Sequence, residues 1–256
     1  MTNIQAILLD IEGTTTPIDY VFGVLFPYSL NHLADFLSRH QDDLEVQADL
    51  ELLRQEYLAE LSLSSTQEQA QEQDCLPLWQ DLPVDYINFL VKSDRKSQGL
   101  KSLQGKIWQQ GYESGELCAR IFADVPNFLR IWQAQGKVTY IYSSGSVNAQ
   151  KLLFRFSEFG DLTAYISGYF DTAIGNKKEA SSYLKIVTQI GFLPQEVLFI
   201  SDLVAELKAA QIAGLSTLWS DRPGNPYADS QGFVKVTSFD QVLNLLGLQM
   251  TPEYLN

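Results

Sequence analysis

Asp10 and Glu12 are the two residues whose chemistry and spacing most strongly suggest catalysis. They follow the apolar run 6–9, and Gly13 and three threonines come directly after them. A carboxylate can attack phosphorus once a metal ion and hydrogen-bond donors neutralise the incoming phosphate, and a second carboxylate can move protons. The threonine hydroxyls and N–H groups offer a place to hold an anion. The alternative is a strand that ends in a helix cap, with Asp10 as an ordinary polar terminator.

The elements that must position these residues are parallel strands. A short apolar run that ends abruptly in a carboxylate is typical of a buried parallel strand, and open α/β sheets carry their sites at the carboxyl edge. The run 138–142 is a second predicted strand and leads into Ser143 and Ser144 just before a helix. Serine hydroxyls and the N–H groups that open a helix bind phosphate oxygens well. A serine helix cap is the other interpretation, and the two roles are compatible.

A third strong strand is predicted over 197–201 and leads into Asp202, with Glu206 about one helical turn further on. Because the carboxyl ends of adjacent parallel strands meet at one edge of a sheet, we expect Asp202 beside Asp10. Carboxylate oxygens are the ligands that a hard cation such as Mg²⁺ prefers. Glu206 suits either a ligand or a residue that orients one.

Two adjacent lysines, Lys177 and Lys178, precede a predicted helix over 181–190 and follow a predicted strand over 165–170. A lysine here can screen a carboxylate nucleophile from the arriving phosphate and stabilise charge on the transferring group. The chemistry alone does not distinguish the two lysines.

The pattern of predicted elements changes along the chain. Residues 20–115 are predicted to be helical, whereas strands and helices alternate further on. We therefore expect an α/β fold with a doubly wound parallel sheet core, formed by residues 1–19 and 116–256. The helical cap, residues 20–115, is inserted after the first strand, which would place it over Asp10.

Within the predicted cap, helices are expected over 44–63 and 77–91, joined by a polar connection rich in Gln and Glu. The basic segment 92–108 is either a solvated helix face or a surface that helps to attract an anionic substrate. Trp108 and Tyr112 lie four residues apart on one helix face, and they form either cap core or an apolar wall for a substrate.

Composition limits the partners of this 256-residue chain. Its formal net charge of −13 at pH 7 argues against nucleic acid as a partner, and an anionic substrate would need local positive charge.

We recognise no signal peptide and no apolar stretch long enough to span a bilayer, which predicts a cytoplasmic protein without a membrane partner. The two cysteines and two histidines lack the spacing of a disulfide framework or a zinc site. A self-sufficient core and cap favour a monomer.

Four motifs together resemble those of the haloacid dehalogenase superfamily of aspartyl-phosphate phosphatases. The first is Asp-Ile-Glu-Gly-Thr at 10–14, with Glu in place of the more usual second Asp. Tyr-Ser-Ser-Gly-Ser at 142–146, Ile-Gly-Asn-Lys at 174–177 and Ser-Asp at 201–202 resemble the other three. The Thr-Thr-Pro-Ile after the first motif looks like that of the enolase-phosphatase, or acireductone synthase, family. The resemblance covers nearly the whole chain and favours Lys177 among the two lysines.

The resemblance implies roles for individual residues. Asp10 would attack phosphorus and form an aspartyl-phosphate. Glu12 would protonate the leaving oxygen and then activate water for hydrolysis. Ser143, Ser144 and Lys177 would hold the phosphoryl group.

The implied cofactor is one Mg²⁺, bound by Asp10, Asp202 and the main-chain carbonyl of Glu12. The implied substrate is the small phosphate ester 2,3-diketo-5-methylthiopentyl 1-phosphate of methionine salvage, which is enolised and then hydrolysed to the acireductone 1,2-dihydroxy-3-keto-5-methylthiopentene and phosphate. Glu12 is a candidate base for the enolisation. A general Mg²⁺-dependent small-molecule phosphatase of the same superfamily would keep the same motifs. A non-catalytic phosphate-binding module would be expected to lack Asp10 or Glu12, and both are present.

Overall fold

The computed structural model describes most of the chain, namely residues 3–63, 84–92, 97–226 and 228–248. The chain forms two compact units, one from residues 1–22 and 118–256 and the other from residues 23–117. The polar connection predicted at 64–74, part of the helix predicted over 77–91 and part of the basic segment lie outside the described residues. The assignment of core and cap roles to these units stays a prediction.

The first unit contains one parallel sheet. Its strands, in chain order, are β1 Ala6–Leu9, β2 Val138–Tyr142, β3 Gly168–Phe170, β4 Val197–Ser201, β5 Ser216–Ser220 and β6 Lys235–Val236. Their order across the sheet is β3-β2-β1-β4-β5-β6. The first strand in the chain therefore lies between β2 and β4, which is the arrangement of a doubly wound α/β fold. The predicted fold class is confirmed.

The helices alternate with these strands or form the second unit. In chain order they are α1 Ile18–Tyr20, α2 Phe26–His40, α3 Leu44–Leu63, α4 Val84–Lys92, α5 Gln98–Ser114, α6 Val125–Ala134, α7 Val147–Arg155, α8 Ala180–Ile190, α9 Val204–Ile212 and α10 Phe239–Leu245. A π-helical turn at Val21–Leu25 joins α1 to α2. Helices α2 to α5 belong to the second unit. None of the helices in the described ranges is long and apolar enough to cross a lipid bilayer.

β1 is buried along its whole length. Ala6 and Leu8 belong to an apolar cluster that includes Ile186 of α8 and Leu207 of α9. Ile7, on the alternate face of the strand, is also fully buried. Burial of both faces explains why β1 is an uninterrupted apolar run, and each such aliphatic side chain stabilises the fold by roughly 1.5–3 kcal/mol.

The second unit has its own apolar core. Leu50 and Leu53 of α3 pack with Leu103 of α5 in a cluster of buried side chains. Ser97 begins α5 by accepting a hydrogen bond from the Leu100 N–H at 3.1 Å. This N-cap and the amphipathic spacing together account for the helix.

The strand predicted over 165–170 is shorter in the structure. Residues Thr163–Tyr165 form a 3₁₀ turn, and β3 begins only at Gly168. The Asp161 carboxylate accepts a hydrogen bond from the Thr163 N–H at 2.9 Å and starts the turn. An acidic side chain that binds nearby backbone in this way competes with strand formation. The prediction was therefore wrong at its beginning.

Candidate active site

Three polar residues follow three neighbouring strands at one edge of the sheet. β1 pairs in parallel with both β2 and β4 along its whole length. Asp10 follows β1, Ser143 follows β2 and Asp202 follows β4. The Asp10 N–H still donates to the Ile200 carbonyl at 3.0 Å, so the sheet itself holds the backbone of Asp10. Only 2% of Asp10 is exposed.

Asp10 belongs to a buried network of four side chains. Lys177 Nζ lies 2.5 Å from Asp10 Oδ1 and 2.8 Å from Glu206 Oε2. Ser201 Oγ lies 2.9 Å from Glu206 Oε2 and 3.3 Å from Asp10 Oδ2. Because a serine hydroxyl carries one proton, Ser201 donates to one of these carboxylates at a time. Lys177 thus holds two carboxylates that come from different strand ends.

Burial and the charges of this network change the pKa values of Lys177, Glu206 and the nearby Asp202. Burial lowers the pKa of Lys177, but the negative charges of Asp10, Glu206 and Glu12 outweigh burial and raise its pKa above the ordinary value. Burial, followed by the charges of Asp10 and Glu206, raises the pKa of Asp202 to about 8. For Glu206 burial is again the largest cause, and although Lys177 opposes it, the pKa is about 7. Lys177 is therefore a cation among an excess of acidic groups.

The loop after Asp10 is closed by its own backbone. The carbonyl of Ile11 accepts hydrogen bonds from the N–H groups of residues 14–16 at 2.9 to 3.1 Å. These N–H groups are consequently occupied within the loop, so the expectation that they hold an anion was wrong. Gly13 has a φ of +69°, and a β-carbon there would lie 2.7 Å from Asp202 Oδ2. Glycine is required both for the turn and for the close approach of Asp202.

The carbonyl of Gly13 accepts hydrogen bonds from two side chains that lie more than 200 residues further along the chain. Ser220 Oγ donates to it at 3.0 Å, and Asn225 Nδ2 donates to it at 2.9 Å. Ser220 ends β5, and Asn225 lies in the loop that follows. Sequence analysis did not find these two residues, because an asparagine in a turn rich in glycine and proline gives no sign of a distant partner.

Ser143 is buried and Ser144 is partly exposed at the end of β2. Ser143 Oγ accepts a hydrogen bond from the Gly145 N–H at 3.1 Å, so its own proton can be donated to another acceptor. The N-cap of α7 is Ser146, which accepts a hydrogen bond from the Ala149 N–H at 3.2 Å. The serine that caps the helix is therefore Ser146, and not Ser143 or Ser144.

The structure gives the two adjacent lysines different environments. Lys177 is 6% exposed and faces Asp10, whereas Lys178 is exposed. Glu12 is partly exposed, and its negative charge contributes to the raised pKa of Lys177. Asp10 and Glu12 thus both interact electrostatically with Lys177, whereas Lys178 is exposed to solvent.

The donor set at the sheet edge suits a hard divalent cation. Asp10 and Asp202 supply carboxylate oxygens, and a β-carbon on Gly13 would intrude on Asp202 Oδ2. Within the described ranges, no three His, Cys, Asp or Glu side chains gather as a group that could hold a metal ion. The set implied by the family resemblance contains only two side chains and one main-chain carbonyl, from Glu12, so it does not require such a group.

The candidate residues of the predicted cap lie within the second unit. Lys106, in the basic segment, pairs with Asp49 at 2.5 Å and is therefore used inside this unit. Tyr112 is buried, which supports its interpretation as core. Trp108 is partly exposed and donates from Nε1 to the Leu25 carbonyl at 2.8 Å.

Comparisons with known proteins show the family to which the chain belongs. A sequence profile of haloacid dehalogenase-like hydrolases matches residues 4–214. The enolase-phosphatase E1 of Synechococcus elongatus is 53% identical over 244 residues, which cover 94% of this chain and 98% of that protein. The enolase-phosphatase E1 of Leptospira borgpetersenii serovar Hardjo-bovis is 41% identical and covers 91% of this chain and 96% of its own.

A solved structure extends the similarity to three dimensions. The UTR4 protein of Saccharomyces cerevisiae is 36% identical, with a TM-score of 0.73, and the match covers 93% of this chain and 99% of the yeast chain. These matches include residues of both compact units.

Proposed function

The chain belongs to the enolase-phosphatase family of haloacid dehalogenase-like hydrolases, and we propose that it converts 2,3-diketo-5-methylthiopentyl 1-phosphate to an acireductone and phosphate in methionine salvage. The observation that carries this proposal is the buried contact of Lys177 with Asp10 at the carboxyl edge of the sheet. An ammonium at this distance offers positive charge to an arriving phosphate.

Asp10 is the proposed nucleophile. Its backbone is fixed by the sheet, and its carboxylate is oriented by Lys177 and Ser201. Attack of one carboxylate oxygen on phosphorus would break the bond to the ester oxygen and form an aspartyl-phosphate. A preorganised nucleophile of this kind avoids the entropic cost of alignment during the reaction.

Glu12 is the proposed acid and base. It follows Asp10 by two residues, is partly exposed and lies close enough to affect the pKa of Lys177. It would give a proton to the leaving oxygen and then take one from the water that hydrolyses the aspartyl-phosphate. We also propose Glu12 as a candidate base for the enolisation.

The phosphoryl group would be held by Ser143, Ser144 and Lys177. Ser143 and Ser144 end β2, beside the strand that carries Asp10, and α7 begins three residues later than Ser144. Hydroxyl donors near a helix N-terminus favour phosphate oxygens. This local arrangement provides donors and positive charge in a chain whose net charge is −13.

The residues at the sheet edge would also hold one Mg²⁺. Asp10 and Asp202 would contribute carboxylate oxygens, and Glu12 its main-chain carbonyl. When bound, the ion supplies charge that offsets the carboxylates and the phosphate oxygens. The lack of a side chain at Gly13 leaves room for Asp202 Oδ2, which supports this role for Asp202.

We propose that the small phosphate ester is the partner of this protein. We also propose that the protein is a cytoplasmic monomer. The strongly acidic composition supports the absence of a nucleic-acid partner.

Phosphate release tests the proposed function. Inorganic phosphate should be measured from the diketone phosphate and from a plain alkyl phosphate of similar length, each with Mg²⁺ and with a chelator. We expect rapid, metal-dependent release from the diketone phosphate only. Asp10→Asn, which keeps the size of the side chain, should fold normally and release no phosphate.

Other results would change the assignment. Equal release from both esters would favour a general small-molecule phosphatase with the same site. Appreciable turnover by Asp10→Asn would remove Asp10 from the nucleophile role. No release from either ester by the unaltered protein would contradict the enzyme assignment at this site.

A further inference from the structure

The backbone that carries Lys177 is held by three side-chain hydroxyls. Each hydroxyl donates to one of three successive carbonyls. The donor and acceptor pairs are Tyr142 with Gly175 at 3.0 Å, Ser182 with Asn176 at 2.8 Å, and Tyr183 with Lys177 at 2.7 Å. We call Tyr142, Ser182 and Tyr183 the hydroxyl cradle.

The hydroxyl cradle is built from two elements and is fully buried. Tyr142 ends β2, and Ser182 and Tyr183 lie in the first turn of α8. All three side chains are 0% exposed. Buried hydrogen bonds are not readily exchanged for bonds to water, so these donors fix their acceptors more firmly than surface donors would.

Packing leaves little freedom around the cradle. The Tyr142 and Tyr183 rings meet edge to face at 5.6 Å, and Lys177 Nζ lies 5.6 Å from the centre of the Tyr142 ring. Gly175 has a φ of +149°, and a β-carbon there would lie 2.2 Å from Ser182 Oγ. The loop therefore fits against the cradle only with glycine at this position.

We propose that the hydroxyl cradle positions Lys177 against Asp10 and thereby sets the rate of phosphoryl transfer. The cradle residues would act through Lys177 and would not touch the substrate themselves. The inference rests on the proposed function of Asp10 and Lys177. The competing interpretation is that the three hydroxyls only stabilise the fold.

Tyr183→Phe removes one hydroxyl and keeps the ring. Because a small displacement of a catalytic group is costly, we expect kcat to fall by about tenfold to a hundredfold while KM changes much less. Tyr169→Phe is the matched control, since its hydroxyl is buried without a hydrogen-bond partner in the described part of the chain. This control should keep the kcat of the unaltered protein.

A second measurement does not require activity. Acetylation of Lys177 and of its exposed neighbour Lys178 can be compared on one peptide by fragmentation mass spectrometry. In the unaltered protein we expect Lys178 to react and Lys177 to be protected. Tyr183→Phe should raise the labelling of Lys177 relative to Lys178, and Tyr169→Phe should not.

The outcomes are separable. Unchanged kcat and unchanged Lys177 labelling in a folded Tyr183→Phe would overturn the proposal, as would an equal loss of kcat in Tyr169→Phe. If Tyr183→Phe does not fold, Tyr142→Phe and Ser182→Ala remove the other two donors and decide the question with the same readouts. Absence of phosphate release by the unaltered protein would instead count against the proposed function, while the labelling would still test the cradle.

Discussion

Lys177 Nζ lies 2.5 Å from Asp10 Oδ1, although 167 positions separate the two residues in the chain. The same ammonium contacts Glu206 at 2.8 Å, so one buried cation is shared by two acidic side chains. We propose that this lysine, together with the proposed Mg²⁺, supplies local positive charge to a phosphate ester in a chain whose net charge is −13. The charge is local, and burial protects it from screening by solvent ions.

Replacement of Lys177 tests this role directly. Lys177→Met removes the charge and keeps most of the apolar stem. Since loss of one preorganised donor to developing charge costs about 100- to 1000-fold in kcat, we expect a fall of that size in phosphate release. Steady-state release from the diketone phosphate measures the effect.

Lys178→Met is the matched control for this replacement. Lys178 is exposed, so we expect neither kcat nor the thermal midpoint of unfolding to change. A folded Lys177→Met variant with the kcat of the unaltered protein would show that the buried lysine has no part in catalysis.

A buried ion pair outside the network around Asp10 should matter for stability. Arg222 Nη1 donates to Asp124 Oδ2 at 2.7 Å, and the guanidinium lies 4.0 Å from the centre of the Phe122 ring. The Arg222 side chain is 4% exposed and that of Asp124 is 16% exposed. Arg222→Met leaves Asp124 without its cation, so we expect a loss of about 3–5 kcal/mol in the free energy of unfolding, measured in urea.

The exposed pair of Lys235 and Asp221 provides the comparison. Their charged atoms lie 3.0 Å apart, but the side chains are 53% and 31% exposed. Lys235→Met should therefore change the free energy of unfolding by at most about 1 kcal/mol. Equal effects at the two pairs would contradict the importance of burial.

The Gly13 carbonyl accepts hydrogen bonds from two side chains, which predicts that the stability effects of removing them are not additive. Ser220→Ala and Asn225→Ala each remove one donor, and each should cost about 1 kcal/mol in the free energy of unfolding. The double variant leaves the carbonyl without either donor, so its cost should exceed the sum of the single costs. Ser38→Ala, which removes an exposed hydroxyl from α2, is the control. Strict additivity in urea unfolding would show that the two donors act independently.

The acidic groups at the sheet edge predict a pH dependence for the metal-free protein. The pKa of Asp202 rises from 3.8 in its ordinary state to about 8 in the folded protein, chiefly through burial and the charge of Asp10. Between these values the folded state binds more protons than the unfolded state, so stability falls as the pH rises. Lys177, whose pKa is raised, stays protonated throughout this range.

Thermal unfolding in chelator across this pH range measures the effect. Asp202→Asn should flatten the decline, because the amide does not titrate. A stability profile of the metal-free protein that rises with pH over the same range would contradict the direction of the shift.

Local sequence was sufficient to predict β1, β2 and β4 and the residues that follow them. β1 and β4 are buried along their whole length, and this burial is visible in the sequence as apolar runs. β2 is only partly buried, and its β-branched and aromatic residues predict it instead. Polar residues that end such runs, including Asp10, Ser143 and Asp202, could therefore be assigned to one sheet edge. The beginning of β3 was predicted wrongly because the Asp161 carboxylate accepts hydrogen bonds from the N–H and the hydroxyl of Thr163, and these bonds compete with strand formation.

Only the tertiary structure decided which distant groups support those residues. Ser220 and Asn225 reach the Gly13 carbonyl, and the hydroxyl cradle reaches the loop of Lys177, through donors that follow no periodic pattern. Hydrogen bonds from side chains to backbone depend on how elements pack, and the sequence records neither their direction nor their partner. By itself the sequence determined which groups stand at the sheet edge, because an apolar or β-branched run that ends in a polar residue is a local pattern. The folded chain decided how those groups are held, because contacts between distant segments exist only after packing.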